Sequence, residues 1–359
     1  MTIIHISSTL GGGGAEQMVF QLAKQSMTTH KTIVVSLSST LVTLENRFKE
    51  QGIEYHLLGV TSFKNKSLLT ALKNFKAIVN QYEDVVIHCH LYHAALFGSL
   101  YKLSSRKTPL IFTLHSNEVE GQGKKLMLFL TKPFRNVDII FSKKGKKWYN
   151  KSKSVSIPNG VNFKDFDFHK NEAITTNGVF QFLFLGRLSQ EKSPLRMVKA
   201  AQQLLQRQMD HFMIHVVGDG PLKNELEAQI KIHKLEAYFE LHGFQNDVKP
   251  FLAKADCLVL PSLWEGLPVV IIEAAAAKTP IIATPVGSIP DYLNDSNAYL
   301  SELESFDEAM AEVIKHQDMA LEKSEKLYED IASIFDIEHV FQEHLKIYHS
   351  CLNQSKSNV

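Results

Sequence analysis

The feature that most constrains the fold of this chain is a regular alternation between short apolar runs and segments of helical length. The apolar runs are rich in β-branched residues and are bounded by turn residues, which is typical of buried strands. The segments between them carry apolar residues at helical spacing, as Leu195, Val198 and Leu205 do. The pattern predicts an α/β protein whose open parallel sheets have helices on both faces. The predicted strands are TIIHIS, KTIVVSLS, EYHLLG, DVVIHCH, PLIFTLH, DIIFSK and SVSIPNGV in the first half, and QFLFLG, FMIHVVG, YFELHG, DCLVLP and PIIATP in the second.

The alternation occurs twice, and a chain of 359 residues is about twice the usual length of a domain. The polar stretch at residues 165–178 is the best candidate for a linker. We therefore predict one Rossmann-like domain at residues 1–165 and another at residues 175–335. A helix followed by a polar tail is expected at residues 336–359.

The two halves differ in charge although the whole chain carries only +1. Residues 1–160 contain 21 Lys+Arg and 9 Asp+Glu, and residues 161–359 contain 18 and 29. This asymmetry favours an anionic partner for the first half.

The N-terminal sequence, the hydropathy and the positions of the cysteines argue against a secreted, membrane-spanning or disulfide-bonded protein. The N-terminus has no basic leader with an apolar core, and no stretch approaches the ~18 apolar residues of a spanning helix, so a cytosolic protein is expected. Cys89, Cys257 and Cys351 lack CxxC or His-rich neighbours, so we expect neither a disulfide framework nor a metal site.

A glycine-rich loop follows the first predicted strand. Gly12, Gly13 and Gly14 lead into a predicted helix, where backbone amides can approach an anionic ligand. A dinucleotide fingerprint would need glycine at position 16 or 17, where Glu16 and Gln17 stand, and no GxxxxGK[ST] motif occurs. A flexible turn without a ligand is the alternative interpretation.

The loops of the second half contain cations and a second glycine turn at which the backbone can approach a ligand closely. Arg187 and Lys192 follow the strand QFLFLG, just before Ser193 and Pro194, which fit an N-cap and a first helical residue. A planar guanidinium and an ammonium suit a diphosphate. Two solvated surface cations are the alternative. Gly218 and Gly220 form a second turn in VVGDGPLKNEL.

Two carboxylates interrupt the apolar run LWEGLPVVIIEAAAA at residues 263–277. Pro268 fits the first position of the predicted helix, Glu265 precedes that helix and Glu273 lies within it. Carboxylates accept hydroxyl groups well, so Glu273 suits the diol of a ribose and Glu265 suits sugar hydroxyls. Alternatively, Glu265 caps its own helix and Glu273 faces solvent. The free amides expected at the start of this helix belong to Gly266, Leu267 and Val269.

These motifs together resemble retaining glycosyltransferases of family 4, which have the two-domain GT-B fold with a cleft between the domains. The resemblance rests on GGGGAE, IPNGV, GRLSQEK, VGDGPLKNEL and PSLWEGLPVVIIEAAAAKTPIIAT, and the E-x7-E spacing of Glu265 and Glu273 is its most specific element. It implies that Arg187 and Lys192 hold the diphosphate of a nucleotide sugar, Glu273 the ribose and Glu265 the transferred sugar. It also implies that His115 faces the donor sugar. GSIPD at residues 287–291 departs from the family pattern, which leaves the role of Asp291 open.

The resemblance further implies an acceptor-binding first domain, a nucleotide-sugar-binding second domain and a C-terminal helix that packs back on the first. The expected reaction is metal-independent, retaining sugar transfer from a nucleoside-diphosphate sugar, with UDP as the expected base, to a glycan or polyprenyl-linked acceptor. No bound cofactor and no nucleic-acid partner are expected. A nucleotide-sugar epimerase or phosphorylase, or a noncatalytic partner subunit, are the alternatives.

A basic segment in the first half predicts docking on an anionic membrane at the inner face of the cell membrane. Residues 124–153 hold ten Lys or Arg and one acid, Asp138, interleaved with apolar and aromatic residues. A solvated basic face is the alternative. The interleaved residues are Leu126, Met127, Leu128, Phe129, Phe134, Trp148 and Tyr149.

Overall fold

The chain folds as two compact units, each built around one parallel sheet. The first unit comprises Met1–Gly160 with Phe335–Val359, and the second comprises Val161–Ile334. The structure, a computed structural model, describes residues 1–115, 119–141, 146–167, 178–265 and 268–357.

The first unit contains a seven-stranded parallel sheet in which all seven predicted strands are confirmed. Most of its strand residues are buried, because helices cover both faces. The strands are β1 (Thr2–Ser7), β2 (Lys31–Ser36), β3 (Glu54–Leu57), β4 (Val85–His90), β5 (Leu110–Thr113), β6 (Val137–Ile140) and β7 (Val155–Ser156), in the spatial order β3-β2-β1-β4-β5-β6-β7. The helices between them are α1 (Gly14–Ser26), α2 (Glu45–Glu50), α3 (Lys66–Val79), α4 (Leu91–Lys102) and α5 (Gln122–Leu130).

The second unit contains a six-stranded parallel sheet. Its five predicted strands are confirmed, and a sixth, β13, was missed because two residues are too short to show a period. The strands are β8 (Phe180–Leu185), β9 (Phe212–Val217), β10 (Phe239–Gly243), β11 (Cys257–Leu260), β12 (Ile281–Ala283) and β13 (Tyr299–Leu300), in the order β10-β9-β8-β11-β12-β13. The helices are α6 (Leu195–Gln206), α7 (Lys223–Ile232), α8 (Lys249–Lys254), α9 (Val269–Ala276), α10 (Phe306–Lys315) and α11 (Gln317–Phe335).

The last helix, α12 (Ile337–Ser357), belongs to the first unit. It lies against α1 and buries Val340, Phe341 and Tyr348 in a core shared with Ile3 of β1 and other sheet residues. Within the described part of the chain, no helix is both long enough and apolar enough to cross a membrane.

Both sheets reverse their strand order beside their first strand. β1 lies between β2 and β4, and β8 lies between β9 and β11. At such a reversal the loops after neighbouring strands run in opposite directions and leave a crevice outside the carboxyl ends of the strands, which is where open α/β sheets bind ligands. The loops after β1, β4, β8 and β11 therefore border the two crevices in which a ligand is expected to bind.

Candidate active site

The loops that follow β8 and β9 pack against each other through glycine. A Cβ atom on Gly218 would lie 1.9 Å from the carbonyl oxygen of Gly186, and one on Gly220 would lie 2.4 Å from that of Leu188. Gly218 also has a φ of +145°, which side chains strongly disfavour. The Leu188 amide donates to the Asp219 carbonyl at 2.9 Å, so the two loops are joined through their backbones.

Lys192 and Glu265 meet although 73 residues separate them in the chain. The Lys192 ammonium donates to Glu265 Oε1, and the Ser262 hydroxyl donates to the same oxygen at 2.6 Å. The Glu265 side chain is only 7% exposed and that of Lys192 is 19% exposed. The amide of Leu263 donates to the Glu191 carbonyl at 2.8 Å, which ties the loop after β11 to the loop after β8. A cation and a carboxylate therefore sit together at the strand-order reversal of the second sheet.

The local conformation around Lys192 differs from the expected helix start. Lys192 ends a short 3-10 turn, Gln190–Lys192, and Ser193 adopts the left-handed conformation with φ +48°. Ser193 is therefore not an N-cap, and Pro194 takes that position before α6. Pro268 is likewise the N-cap of α9 and not its first residue, so this helix begins one residue later than predicted. The Lys192 side chain extends from the end of a tight turn that precedes α6.

The loop after β8 carries two cations, Arg187 and Lys192. Arg187 is exposed, and Lys192 follows it by five residues. The pKa of Glu191 lies below its usual range, chiefly because the Ser189 hydroxyl donates to its carboxylate, and the charges of Arg187 and Lys192 act in the same direction. An anionic ligand above this loop would meet the same two cations.

The remaining predicted donor contacts lie on or near α9. Glu273 is partly buried in the second turn of the helix, and Val269 is its first residue. Gly266 and Leu267 lie outside the described residues. Asp291 is exposed in a 3-10 turn, Ile289–Asp291, that follows β12. The roles predicted for these residues stay predictions.

The glycine loop of the first unit runs directly into a helix. Gly12 lies in the loop, Gly13 is the N-cap in an extended conformation, and Gly14 begins α1, one residue earlier than expected. Glu16 lies in the first turn of that helix and accepts a hydrogen bond from Thr9 at 2.6 Å. The loop is thus closed by a side-chain contact that the sequence pattern did not reveal.

His115 ends a chain of three hydrogen-bonded imidazoles. Its Nε2 lies 2.7 Å from Nδ1 of His90, and Nε2 of His90 lies 3.0 Å from Nδ1 of His5. Burial, helped by the neighbouring His344, lowers the pKa of His115 to about 3, so its ring is neutral at physiological pH. Its Nδ1 is buried and has no hydrogen-bond partner within the described residues. The predicted contact of His115 with a donor sugar stays a prediction.

Three further histidines lie in or near this chain. His90, its middle member, is completely buried, so packing within the imidazole chain accounts for it. His93 is exposed, and its ring lies 5.9 Å from that of Phe63. His88, which the sequence did not single out, bonds to the Tyr348 hydroxyl of α12 at 2.7 Å and to Thr113 at 2.8 Å.

Family comparisons agree with this arrangement of sheets and loops. A family profile described as Glycosyltransferase Family 4 matches residues 12–164, and one described as Glycosyl transferases group 1 matches residues 165–332. The chain belongs to glycosyltransferase family 4. It is therefore an enzyme that transfers glycosyl groups, and the paired Rossmann-like units are those of the GT-B fold.

Several relatives of this family 4 enzyme have recorded activities or solved structures. It is 29% identical over 294 residues to an α-1,4-N-acetyl-D-galactosaminyltransferase of Campylobacter jejuni, covering 76% of each chain. It is 25% identical over 279 residues to an α-1,3-galactosyltransferase of Escherichia coli, covering 70% of this chain and 72% of the relative. The crystal structure of the Anabaena protein HepE in complex with UDP and glucose superimposes with a TM-score of 0.84 at 18% identity, over 98% of this chain and 100% of that one.

Sequence reasoning missed two parts of this transferase's candidate site. Ser262 directly follows Pro261 in the exit from β11, but nothing in its spacing indicated that its hydroxyl would reach Glu265. His5 and His88 lie in strands whose apolar neighbours hid them. His88 and His90 stand at alternate residues of β4 and so face the same side of the sheet, and this spacing is the signal that could have pointed to the cluster; His5 pairs with His88 across the ladder.

Proposed function

We propose that this family 4 glycosyltransferase moves a sugar from a UDP-linked donor to a polyprenyl-diphosphate-linked glycan, with retention of configuration and without a catalytic metal. The proposal is supported by the names of two relatives, which specify undecaprenol-linked acceptors and α linkages, and one of which specifies UDP-galactose. The structural neighbour that was crystallised with UDP and glucose adds support for the donor class. Such an enzyme would serve the assembly of a bacterial surface polysaccharide.

The observation that carries the proposal is the contact between Lys192 and Glu265 at the strand-order reversal of the second sheet. A nucleotide sugar presents a diphosphate next to a set of hydroxyl groups. The ammonium can bind the diphosphate, and the carboxylate can accept from the sugar hydroxyls. On binding, Lys192 would exchange Glu265 for the diphosphate, and Glu265 would exchange Lys192 for the sugar hydroxyls. Each side chain therefore keeps a hydrogen-bond partner in the complex.

The chemistry requires that negative charge on the leaving diphosphate be stabilised as the glycosidic bond breaks. Arg187 and Lys192 supply two cations at the loop after β8, where a metal would otherwise be needed. The acceptor hydroxyl attacks the anomeric carbon from the face that the diphosphate leaves, and a leaving phosphate oxygen takes the hydroxyl proton. Glu273 is assigned to the ribose and His115, as a neutral ring, to the donor sugar.

The alternatives differ in what they release. An epimerase returns a nucleotide sugar and a noncatalytic subunit releases nothing, whereas a transferase releases UDP only when an acceptor is present. A phosphorylase needs inorganic phosphate as its co-substrate. These differences define the experiment that tests the proposal.

Purified enzyme incubated with a panel of nucleotide sugars and an undecaprenyl-diphosphate-linked glycan is expected to release nucleotide only with a UDP-sugar and acceptor together. The anomeric configuration of the product, read by NMR coupling constants, should match that of the donor. The reaction should proceed in EDTA at nearly its full rate, because Arg187 and Lys192 take the role of a metal. Acceptor-independent release, an inverted product, or loss of turnover in EDTA that Mg²⁺ or Mn²⁺ restores would each contradict the corresponding part of the proposal.

We also propose that the first unit docks on an anionic membrane surface. Leu126, Met127, Phe129 and Leu130 of α5 are exposed, and the Phe129 ring lies 5.5 Å from that of exposed Trp148. Large apolar side chains exposed together on one helix are uncommon on soluble surfaces and suit the interface of a bilayer.

Part of the basic segment has a structural role and does not belong to this surface. Arg135 and Asp138 are completely buried and paired, and Leu128 and Tyr149 lie in the core. Exposed cations remain nearby: Arg106 and Lys153 line a groove of about 660 Å³ together with Pro133 and Phe134. Asp138 is the one acid in the sequence of residues 124–153. Because it is buried, the described residues of this segment expose no acid.

Co-sedimentation with vesicles tests the docking surface. The enzyme should pellet with vesicles that contain phosphatidylglycerol, but not with phosphatidylcholine alone, because each basic residue near an anionic surface contributes about 1 kcal/mol. Binding should fall at 1 M salt, where the Debye length is ~3 Å. Replacing Phe129 and Trp148 with serine should release the protein, whereas Leu69→Ser, at an exposed position of α3, should not. Equal recovery in the supernatant with both lipids at low salt would refute the docking proposal.

A further inference from the structure

Three potential metal ligands meet at the edge of the second sheet, away from the Lys192–Glu265 pair. His215 lies in β9, and Glu240 and His242 lie in β10, the edge strand. His215 Nδ1 is 3.0 Å from His242 Nε2 and 3.3 Å from Glu240 Oε2, and His242 Nε2 is 3.6 Å from the same oxygen. Nitrogen and oxygen ligands at ~2.0–2.2 Å from a tetrahedral metal lie roughly 3.3–3.6 Å from one another. The three atoms therefore already have nearly the spacing that one shared ion requires.

The hydrogen bonds around His215 determine which of its nitrogens carries the proton. The side-chain amide of Gln181 donates to the Val179 carbonyl at 2.7 Å, so its oxygen is the atom that lies 2.7 Å from His215 Nε2. That nitrogen must donate, so in the neutral ring Nδ1 carries the lone pair, and this atom is the one that faces His242 Nε2 and Glu240 Oε2. A histidine that donates its second N–H to a protein oxygen is the usual arrangement for a metal ligand.

The backbone of the edge strand also directs these side chains to one point. Glu240 pairs with His215 across the parallel ladder, and the register then shifts between Leu241 and Gly243, so that His242 occupies a bulge. Bulges re-aim side chains and are common beside functional sites. The Phe251 ring of α8 packs edge-on against His242 at 4.9 Å and holds its orientation.

We propose that His215, Glu240 and His242 bind one divalent transition-metal ion of the zinc class, with water completing its coordination. Two imidazoles and a carboxylate form a ligand set that such ions prefer, and the three residues are partly exposed, which leaves the ion an entry path and an open position.

The ion is structural and takes no part in sugar transfer. It would pin the bulge before Gly243, whose carbonyl accepts from the Gly218 amide at 2.8 Å. Gly218 belongs to the turn that packs on the loop after β8, so the ion would stabilise the donor loops from the outer edge of the sheet.

Metal titration of the full-length, untagged protein tests the site. Protein stripped with EDTA and dialysed into metal-free buffer should bind one Zn²⁺ per chain by calorimetry, and Co²⁺ should produce visible absorption bands at the same stoichiometry. His242→Ala and Glu240→Gln should each weaken binding by about 100-fold or more, and Gln181→Met, which leaves all three ligands in place, by about 10–100-fold. The exposed pair His211 and Asp210, which lie 2.6 Å apart, provide the control, because His211→Ala should bind as the parent does.

Thermal unfolding provides a second measurement that does not depend on activity. Zn²⁺ should raise the Tm of the parent and of His211→Ala but not that of His242→Ala, since only a native site couples binding to folding. Circular dichroism of the variants checks that they fold. The absence of a one-to-one site, or an affinity that His242→Ala leaves unchanged, would overturn the proposal. An effect of EDTA on Tm without an effect on sugar transfer is the expected combination.

Discussion

Lys192→Met is expected to reduce kcat/KM for sugar transfer by about 10²–10³-fold, because the variant loses a cation that stabilises the leaving diphosphate. The methionine keeps the length of the side chain that packs over Gly186 but removes its charge. Glu273→Gln should cause a loss of similar size through the ribose contact. Steady-state kinetics with a UDP-sugar and a lipid-linked acceptor measure both. Lys199→Met on α6 and Glu227→Gln on α7 change exposed residues of the same unit and serve as controls.

Thermal unfolding separates the catalytic role of Lys192 from a structural one. In Lys192→Met, Glu265 keeps its bond from Ser262 but loses its cation, so a small decrease in Tm is expected. The double variant Lys192→Met/Glu265→Gln should recover the Tm without recovering transfer, since the unpaired carboxylate is gone while the cation is still missing. Near-parental turnover in Lys192→Met would show that this residue does not contact the donor.

Arg135→Leu is expected to lower the free energy of unfolding of the first unit by about 3–5 kcal/mol, because removing one partner of a buried ion pair leaves the other charge uncompensated. Arg135 Nη1 lies 3.4 Å from Asp138 Oδ2, and both side chains are completely buried. Its Nη2 donates to the carbonyls of Leu128 at 2.8 Å and Tyr149 at 3.0 Å, which would also lose their partner. Urea unfolding followed by circular dichroism measures the change, and exposed Arg106→Leu is the matched control.

The same variant should acquire a distinct pH dependence. Burial raises the pKa of Asp138, and the positive charge of Arg135 opposes that effect. Without Arg135, native Asp138 holds its proton to higher pH than unfolded Asp138 does, so the native state binds more protons and stability falls as pH rises. The loss relative to the parent should therefore be larger at pH 8 than at pH 5. Asp138→Asn added to Arg135→Leu should remove that pH dependence; an equal loss at both pH values would contradict the assignment.

The sheets were predictable because their signals are local. A parallel strand that is buried on both faces must be an apolar run, and the turn residues at its ends can be read from neighbouring positions. All twelve predicted strands form, whereas β13 has too few residues to carry a signal. Helix starts at Pro194 and Pro268 were placed one residue early, because proline is compatible with both the N-cap and the first helical position.

The side-chain contacts of the site were not predictable to the same extent. The sequence singled out Lys192 and Glu265 separately, but their contact depends on two loops that the strand order β9-β8-β11 brings side by side. Arg135 and Lys151 both belong to a run of cations, yet burial makes the first a structural residue. A count of charges does not distinguish a buried arginine from a lysine that stays partly exposed.

The sequence by itself determined the two α/β units and the family, because periodicity, turn residues and motif spacing are properties of short segments. The tertiary structure alone decided which distant side chains come within hydrogen-bonding distance of one another. His5 and His90 come from two strands and His115 from the loop after a third, and His215 and His242 come from two neighbouring strands, so their proximity depends on sheet order and register. The one-residue bulge at His242 and the burial of Arg135 each change the chemistry of the side chains involved, and neither can be read from the local sequence pattern.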